Sequence, residues 1–596
     1  MDHIDLADKT KTPTNEAHST ASSTASNTRI LTQLSATAAV STFLAACGGG
    51  TNGDTSTTTS STGTEGSETG SANEGGGNQN GGGTPSAPIS AKQAARFLTQ
   101  AQFSASDSDI AAVQSQGYSA WLDQQFNASI PQTAWDWLIM KGLNTFGLRL
   151  SYAVADKAIW QQLMSSGGSV RKRVALALSE IFVVSMNGSI PRPRSFAIAG
   201  YWDMLVANAF GNYRVLLESI TLNATMGYYL NTKGNQKADP KTGRQPDENY
   251  GREVMQLFSI GLNQLNLDGT IKRDSFGQPI STYDQNDVVN IARMFTGWDL
   301  DMSAGFDIPN AFAIKLPMVL NQSKHSPEAA TFLGVTVPAN TDGKTALKIT
   351  LDTLFNHPNV GPFICKQLIQ RLVTSNPSPS YVARVAAVFN KNSANERGNL
   401  KSVIKAILLD DEARSDQGLT QATFGRIREP MVRFIQWGRT FNAKSADDIW
   451  SVSDLTEPST KLGQSPFRSP TVFNYFRPGY VPPNTDMSKD GLTAPEFQLV
   501  NEITVAGYLN FMPRFVSNGT NLVADYSAEL ALVNDPAALV KRLVLLLSAN
   551  QISDATMSSI QNAISTIDVK TATGKNNRLY AALTLVLSAP EYIVQK

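Results

Sequence analysis

"RKRVALALSEIFVVS", Arg171–Ser185, puts Val174, Leu178, Ile181 and Phe182 at i, i+4, i+7 and i+8, the spacing of one face of an α-helix. The same period recurs in "PFICKQLIQRLV" through Phe363, Cys365, Leu368, Ile369 and Leu372. Stripes of this kind cover Phe97–Phe103, Tyr201–Phe210, Val288–Phe295, Val382–Phe389, Leu400–Leu409, Leu539–Leu547 and Leu579–Leu587. Strand-like alternation is scarce, and "TFLGVTVP", Thr331–Pro338, is the best candidate for a strand or short hairpin. The stripes are unevenly spaced, which disfavours a solenoid. The pattern predicts an all-α chain: a large irregular multi-helix domain over residues 89–596, in one or two lobes, with at most a minor hairpin near 331–338.

The chain has 596 residues, 41% of them hydrophobic, enough to bury a large core. Fifty basic residues balance fifty acidic ones, so the formal charge of +0 gives no global field toward nucleic acid, and no nucleic-acid partner is expected. Near the N-terminus, Arg29 precedes a diluted apolar run that ends in Leu44, Ala45, Ala46 and Cys47. That layout resembles a bacterial lipoprotein signal, with residues 1–46 as signal peptide and Cys47 as the lipidated residue. Residues 47–88 are rich in Gly, Ser, Thr and Asn and have little to bury. They read as a disordered tether of about 40 residues with a reach of roughly 35 Å. The expected location is the cell envelope, with the membrane contacted through a lipid anchor. Gly48 after the cysteine favours the outer membrane and leaves its face open. If Cys47 is lipidated, Cys365 has no intrachain partner, and its apolar neighbours make it a buried small hydrophobe.

In "PDENYGREVMQLFSIGL", Tyr250, Val254, Leu257 and Phe258 define a buried face, Asn249 is suited to the cap and Gly261 to the stop. Arg252 and Glu253 stand in its first turns. In "YDQNDVVNIARMFTGWDLD", Asp287 opens a second helix, Arg293 lies near its end and Trp298 follows. One reading makes these residues caps and ion pairs that fix how helices meet. The other brings Glu253, Arg252 and Asp287 together as catalytic candidates, with Glu180 as an alternative acid partner for Glu253. Asn249, Arg293, Trp298 and His325 are then candidate binding residues. "SPFRSPTVFNYFRPGYVPP" adds Tyr475 to the binding candidates, in a proline-stiffened aromatic strip that either stacks on a ligand or lies inward over the helices. His325 and His357 are too far apart to make a local ligand pair, so no metal site is assigned. Phosphate-loop, dinucleotide and GxSxG fingerprints are lacking beside any strand, so no cofactor is assigned.

Eight segments, "ARFLTQAQFSAS", "RVALALSEIFVVS", "AFGNYRVLL", "ENYGREVMQLFSIGL", "DVVNIARMFTGW", "HPNVGPFICKQLIQRLV", "IREP" and "LGQSPFRSPTVFNYFRPGY", resemble in order the signatures of the bacterial family called domain of unknown function 1800. "LVLSAPEYIVQ" resembles that family's ending. The resemblance implies a large envelope-directed protein without an assigned reaction, and an envelope partner resembling alkaline phosphatases or sulfatases. It maps the family's Asn-x-x-Arg-Glu onto Asn249, Arg252 and Glu253. Where the family commonly has His-Asp, this chain has His325 followed by Ser326. Three functions are therefore expected in competition: a non-catalytic scaffold or partner-binding subunit, a hydrolase of an envelope or extracellular polymer, and a carbohydrate-binding protein.

Overall fold

The computed structural model describes residues 88–130, 132–165, 167–303 and 312–596. Cys47, the signal segment and all of the tether but Pro88 lie outside them. The described residues hold 27 helices and four two-stranded antiparallel pairs, the all-α architecture expected from the stripes. They gather into one compact unit rather than two lobes. One contiguous apolar core runs from Ala94 to Tyr592.

Local chemistry explains the helix starts. Ser90 and Gln93 exchange a capping box ahead of Ala91–Ala101. Ser378 and Asp535 cap helices Pro379–Asn390 and Pro536–Ser548, each with proline in the first turn, where its missing N–H costs nothing. The hairpin forms as well: Ala330–Phe332 pairs with Val335–Val337. Leu333 and Gly334 turn it with φ of 49° and 77°, the positive pair that a tight two-residue hairpin loop requires.

The opening stripe is the helix Ser169–Ser179, and Val174, Leu178, Ile181 and Phe182 are all buried. So are Lys172 and Arg173, because neighbouring helices surround this one. The helix Val360–Leu372 is similarly enclosed, packing on Pro379–Asn390 on one side and on Ser169–Ser179 on another. An enclosed helix sends its polar residues inward along with its apolar ones, and buried charges must then find partners. Two distant pieces supply them. Arg426–Ile427 pairs antiparallel with Val594–Gln595, which fixes the segment carrying Glu429 against the chain's last strand. Pro495–Gln498 brings Glu496 beside Arg426.

Asn249 does not cap its helix. The helix Asn249–Gln256 has Glu248 at the cap position, and the Asn249 N–H donates to Asp247 Oδ1 at 2.8 Å. The helix also ends before Gly261, which completes the following turn at φ 71° and packs against Phe363.

Candidate functional site

On the helix Val360–Leu372, Phe363, Lys366, Gln367, Gln370 and Arg371 fall at i, i+3, i+4, i+7 and i+8 and line one cleft of about 360 Å³. Leu257 and Leu262 close it from the end of the helix Asn249–Gln256 and the loop beyond. That loop, Asn263–Ser281, folds back twice through single antiparallel bridges and contributes Leu265 and Ile271. Phe473, Arg477 and Pro478 form the wall opposite, and Ile181 and Glu180 contribute from the end of the helix Ser169–Ser179. The walls are chiefly apolar, and the volume falls in the range of small-molecule sites.

Beside Glu180 lies a buried network of three arginines and three glutamates. Arg426 Nη2 donates to Glu429 Oε1 at 2.6 Å, and its Nε donates to Glu496 Oε1 at 3.2 Å. Gln464 Nε2 donates to Glu429 Oε2 at 2.7 Å, and Ser375 Oγ to Glu496 Oε2 at 3.1 Å. Arg371 donates to the Glu180 carbonyl at 3.2 Å, and its Nε stands 3.4 Å from Glu180 Oε2. The carbonyl of Arg371 accepts from both Arg173 and Arg426.

The three carboxyls therefore differ. Burial would raise Glu429, but Arg426, together with bonds from Glu180 and Gln464, outweighs it and holds Glu429 below the usual range. Glu180 goes the other way: burial and the charge of Glu429 push it well above the usual range, against the pull of Arg371. Neither oxygen of Glu180 has a hydrogen-bond partner, and burial beside the charge of Glu429 favours its protonated form. Burial also raises Glu496, with Arg426 opposing. On the cleft side, Gln367 Nε2 is buried without a partner. The cleft thus offers an unpartnered carboxyl biased toward its protonated form and an unpartnered amide at its floor, with apolar walls above.

The residues singled out in the sequence separate into other places. Arg252 pairs with Glu248 at 3.1 Å and reaches Gln285 at 3.4 Å. Glu253 is buried, its Oε2 has no hydrogen-bond partner, and burial raises its carboxyl against the opposing charge of Arg252. Asp287 forms a capping box with Asp284 and accepts the Leu333 N–H at 2.8 Å, tying the hairpin to its helix. No hydrogen bond joins Asp287 to Glu253 or Arg252 among the described residues, so the suggested catalytic group is not assembled. Glu180 likewise pairs with Arg371 and Glu429 rather than with Glu253.

Arg293 pairs with Glu328 at 3.2 Å and donates to the Ala329 carbonyl at 3.1 Å. Thr296 Oγ donates to the Arg293 carbonyl and accepts the Ser326 N–H, while His325 Nδ1 lies 3.0 Å from the Thr296 carbonyl. Burial lowers the pKa of His325, which keeps its ring neutral. Trp298 is buried in the short strand Trp298–Asp299, and its indole N–H is unpartnered. These three build the corner between a helix and the hairpin. Tyr475 bonds back to Ser465, accepting its N–H at 3.1 Å and donating to its carbonyl at 2.9 Å. In the aromatic strip Phe467 and Phe476 are buried at 7% and 4% exposure, so they present no stacking face, whereas Phe473 reaches the cleft.

Sequence reading missed Lys366, Gln367, Gln370 and Arg371, because the segment was read by its apolar stripe. The signal was their own helical spacing, which carries four polar residues along the opposite face. Among the described residues no group of three or more His, Cys, Asp or Glu is placed to hold a metal ion, and no helix is long and apolar enough to cross a membrane.

Fold and site together define an all-α protein that closes an apolar cleft over a buried arginine–glutamate network. The chain belongs to the family described as Protein of unknown function (DUF1800), whose model matches residues 96–594. No curated protein and no solved structure matches it. Four of the segments that carry the family resemblance meet at the cleft: those holding Glu180, Leu257, Arg371 and Phe473. A further one of the eight segments, "IREP", supplies Glu429 to the network below.

Proposed function

We propose that this protein is a lipid-anchored, non-catalytic binding subunit of the cell envelope, and that its binding site is the cleft above Glu180. The observation that carries the reading is the unpartnered polar floor, Glu180 and Gln367 Nε2, set under apolar walls. Buried polar atoms left without partners are costly, and a ligand that supplies the missing bonds recovers that cost. The anchor rests on the sequence around Cys47, and the outer membrane on Gly48. An envelope partner resembling alkaline phosphatases or sulfatases is the companion that the family resemblance suggests.

One observation favours a hydrolytic reading: a carboxyl held protonated in a cleft is the form a general acid needs. Carboxylate-pair hydrolysis also requires a second, free carboxylate across the substrate. Glu429 and Glu496 are instead engaged by Arg426, Gln464 and Ser375, and both belong to the network on the Glu180 side. This supports binding over turnover.

The test incubates purified wild-type chain and an Ile271→Trp variant, whose indole fills the cleft mouth, with envelope extract. Mass spectrometry then follows bound and free small molecules over time. A molecule retained unchanged by the wild type and lost in the variant supports the reading. A product that accumulates with the wild type and not with the variant would replace it with hydrolysis.

A further inference from the structure

The cleft is asymmetric in charge. Its floor groups are engaged with one another, but its rim carries two cations that meet no carboxylate within ion-pair distance among the described residues. Lys366 is half-buried on the ridge between this cleft and a neighbouring hollow of about 350 Å³, and it lines both. Burial lowers its pKa, and Asp268 on the turn opposite raises it only in part. Arg477 is exposed, with its guanidinium 5.0 Å from the centre of the Phe473 ring. Between these cations and the floor stand Leu257, Ile271, Phe363 and Phe473. A partly desolvated ammonium whose counter-charge only partly offsets its burial gains from any anion that enters, and apolar walls gain from any hydrocarbon that follows.

We infer that the cleft takes a small organic anion with an apolar body, its carboxylate or phosphate head held at the rim by Lys366 and Arg477 and its hydrocarbon laid along Phe363 and Phe473. This rests on the binding reading above and names the ligand class of that same site. The head group is a rim contact because the floor arginines already have acceptors: Arg426 has Glu429 and Glu496, and Arg371 donates to the Glu180 and Gln367 carbonyls. The unpartnered Gln367 Nε2 then meets a neutral oxygen at the far end of the natural ligand. The ordering predicts that chain length governs affinity and that head-group charge governs selectivity.

The experiment titrates the purified full-length chain calorimetrically with octanoate, octyl phosphate, 1-octanol and octylammonium. The expected result is that the two anions bind at least about tenfold (about 1.4 kcal/mol) more tightly than 1-octanol, a difference within reach of two partly exposed ion pairs. Octylammonium binds more weakly than the alcohol. The Lys366→Ala/Arg477→Ala double variant loses the preference for anions and keeps its affinity for 1-octanol, which also shows that it is folded. Tighter binding of octyl phosphate than of octanoate assigns a phosphoryl head, and the reverse assigns a carboxylate. Equal binding of anion and alcohol, or an anion preference that survives the double variant, overturns the inference and leaves the cleft as an apolar site. Failure of every probe to bind, or equal binding to the Ile271→Trp variant, removes the cleft reading itself.

Discussion

Replacing Glu180 by glutamine separates two electrical descriptions of the buried network. If Glu180 were the ionised partner of Arg371, Glu180→Gln would leave a buried guanidinium uncompensated and cost about 3–5 kcal/mol. The raised pKa of Glu180 instead favours its protonated form, which the neutral amide of glutamine imitates. The sign of the pH dependence follows from linkage. The folded pKa of Glu180 lies well above the ordinary value of 4.5. Its contribution to stability is therefore complete below that ordinary value and is lost as pH rises through the folded pKa, at about 1.4 kcal/mol per unit. Over the pH range between the ordinary value and the folded pKa the wild type loses stability that the glutamine variant keeps. The two chains should have similar stability near pH 4.5, and Glu180→Gln should be the more stable one at pH 7. All eight tryptophans are buried, so urea unfolding followed by tryptophan fluorescence reads the difference directly. A loss of 3 kcal/mol or more at pH 7, or a difference that does not change with pH, would refute the assignment of the proton.

Arg426→Met should destabilise by about 3–5 kcal/mol, since it strands the carboxylates of Glu429 and Glu496 in the interior, and denaturant midpoints will register it. Gly297→Ala should cost about 1–3 kcal/mol, because the residue sits at φ 88° and a Cβ would stand 2.9 Å from the Asn321 carbonyl oxygen and 3.0 Å from the His325 nitrogen; a melting curve indistinguishable from wild type would refute that strain. Cys47→Ser should release the protein from the membrane fraction, and continued sedimentation with membranes would count against the lipid anchor.

The fold was legible because apolar spacing marks helices whatever they pack against, and the hairpin was legible because Leu333–Gly334 sits between two short runs of strand-forming residues. The candidate site was only half legible. Glu253, Arg252 and Asp287 drew attention as charges beside apolar stripes, yet Asp287 has a local task in the capping box with Asp284, and Arg252 pairs one turn back with Glu248. Local motifs of that kind are indistinguishable in sequence from functional charges. Glu180 stood out less than Glu253, since it follows a helix end where a solvated carboxylate is ordinary. Its partner Arg371 is 191 residues away in the chain, and no local pattern links the two. The periodicity of Val360–Leu372 gave the buried face through Cys365, Leu368, Ile369 and Leu372 but misplaced Phe363, which lies on the cleft side, and spacing alone does not say that this opposite face is enclosed too. That enclosure turns Gln367, Gln370 and Arg371 from surface residues into the floor of a cleft.

The central claim is that the cleft above Glu180 is an occupied binding site in the cell. Native mass spectrometry of the intact chain purified from its native cells, wild type beside Ile271→Trp, addresses it most directly. The account predicts a discrete added mass on the wild type that is missing from the variant and leaves on mild activation. The same added mass on both proteins, or bare chain in both, would contradict it.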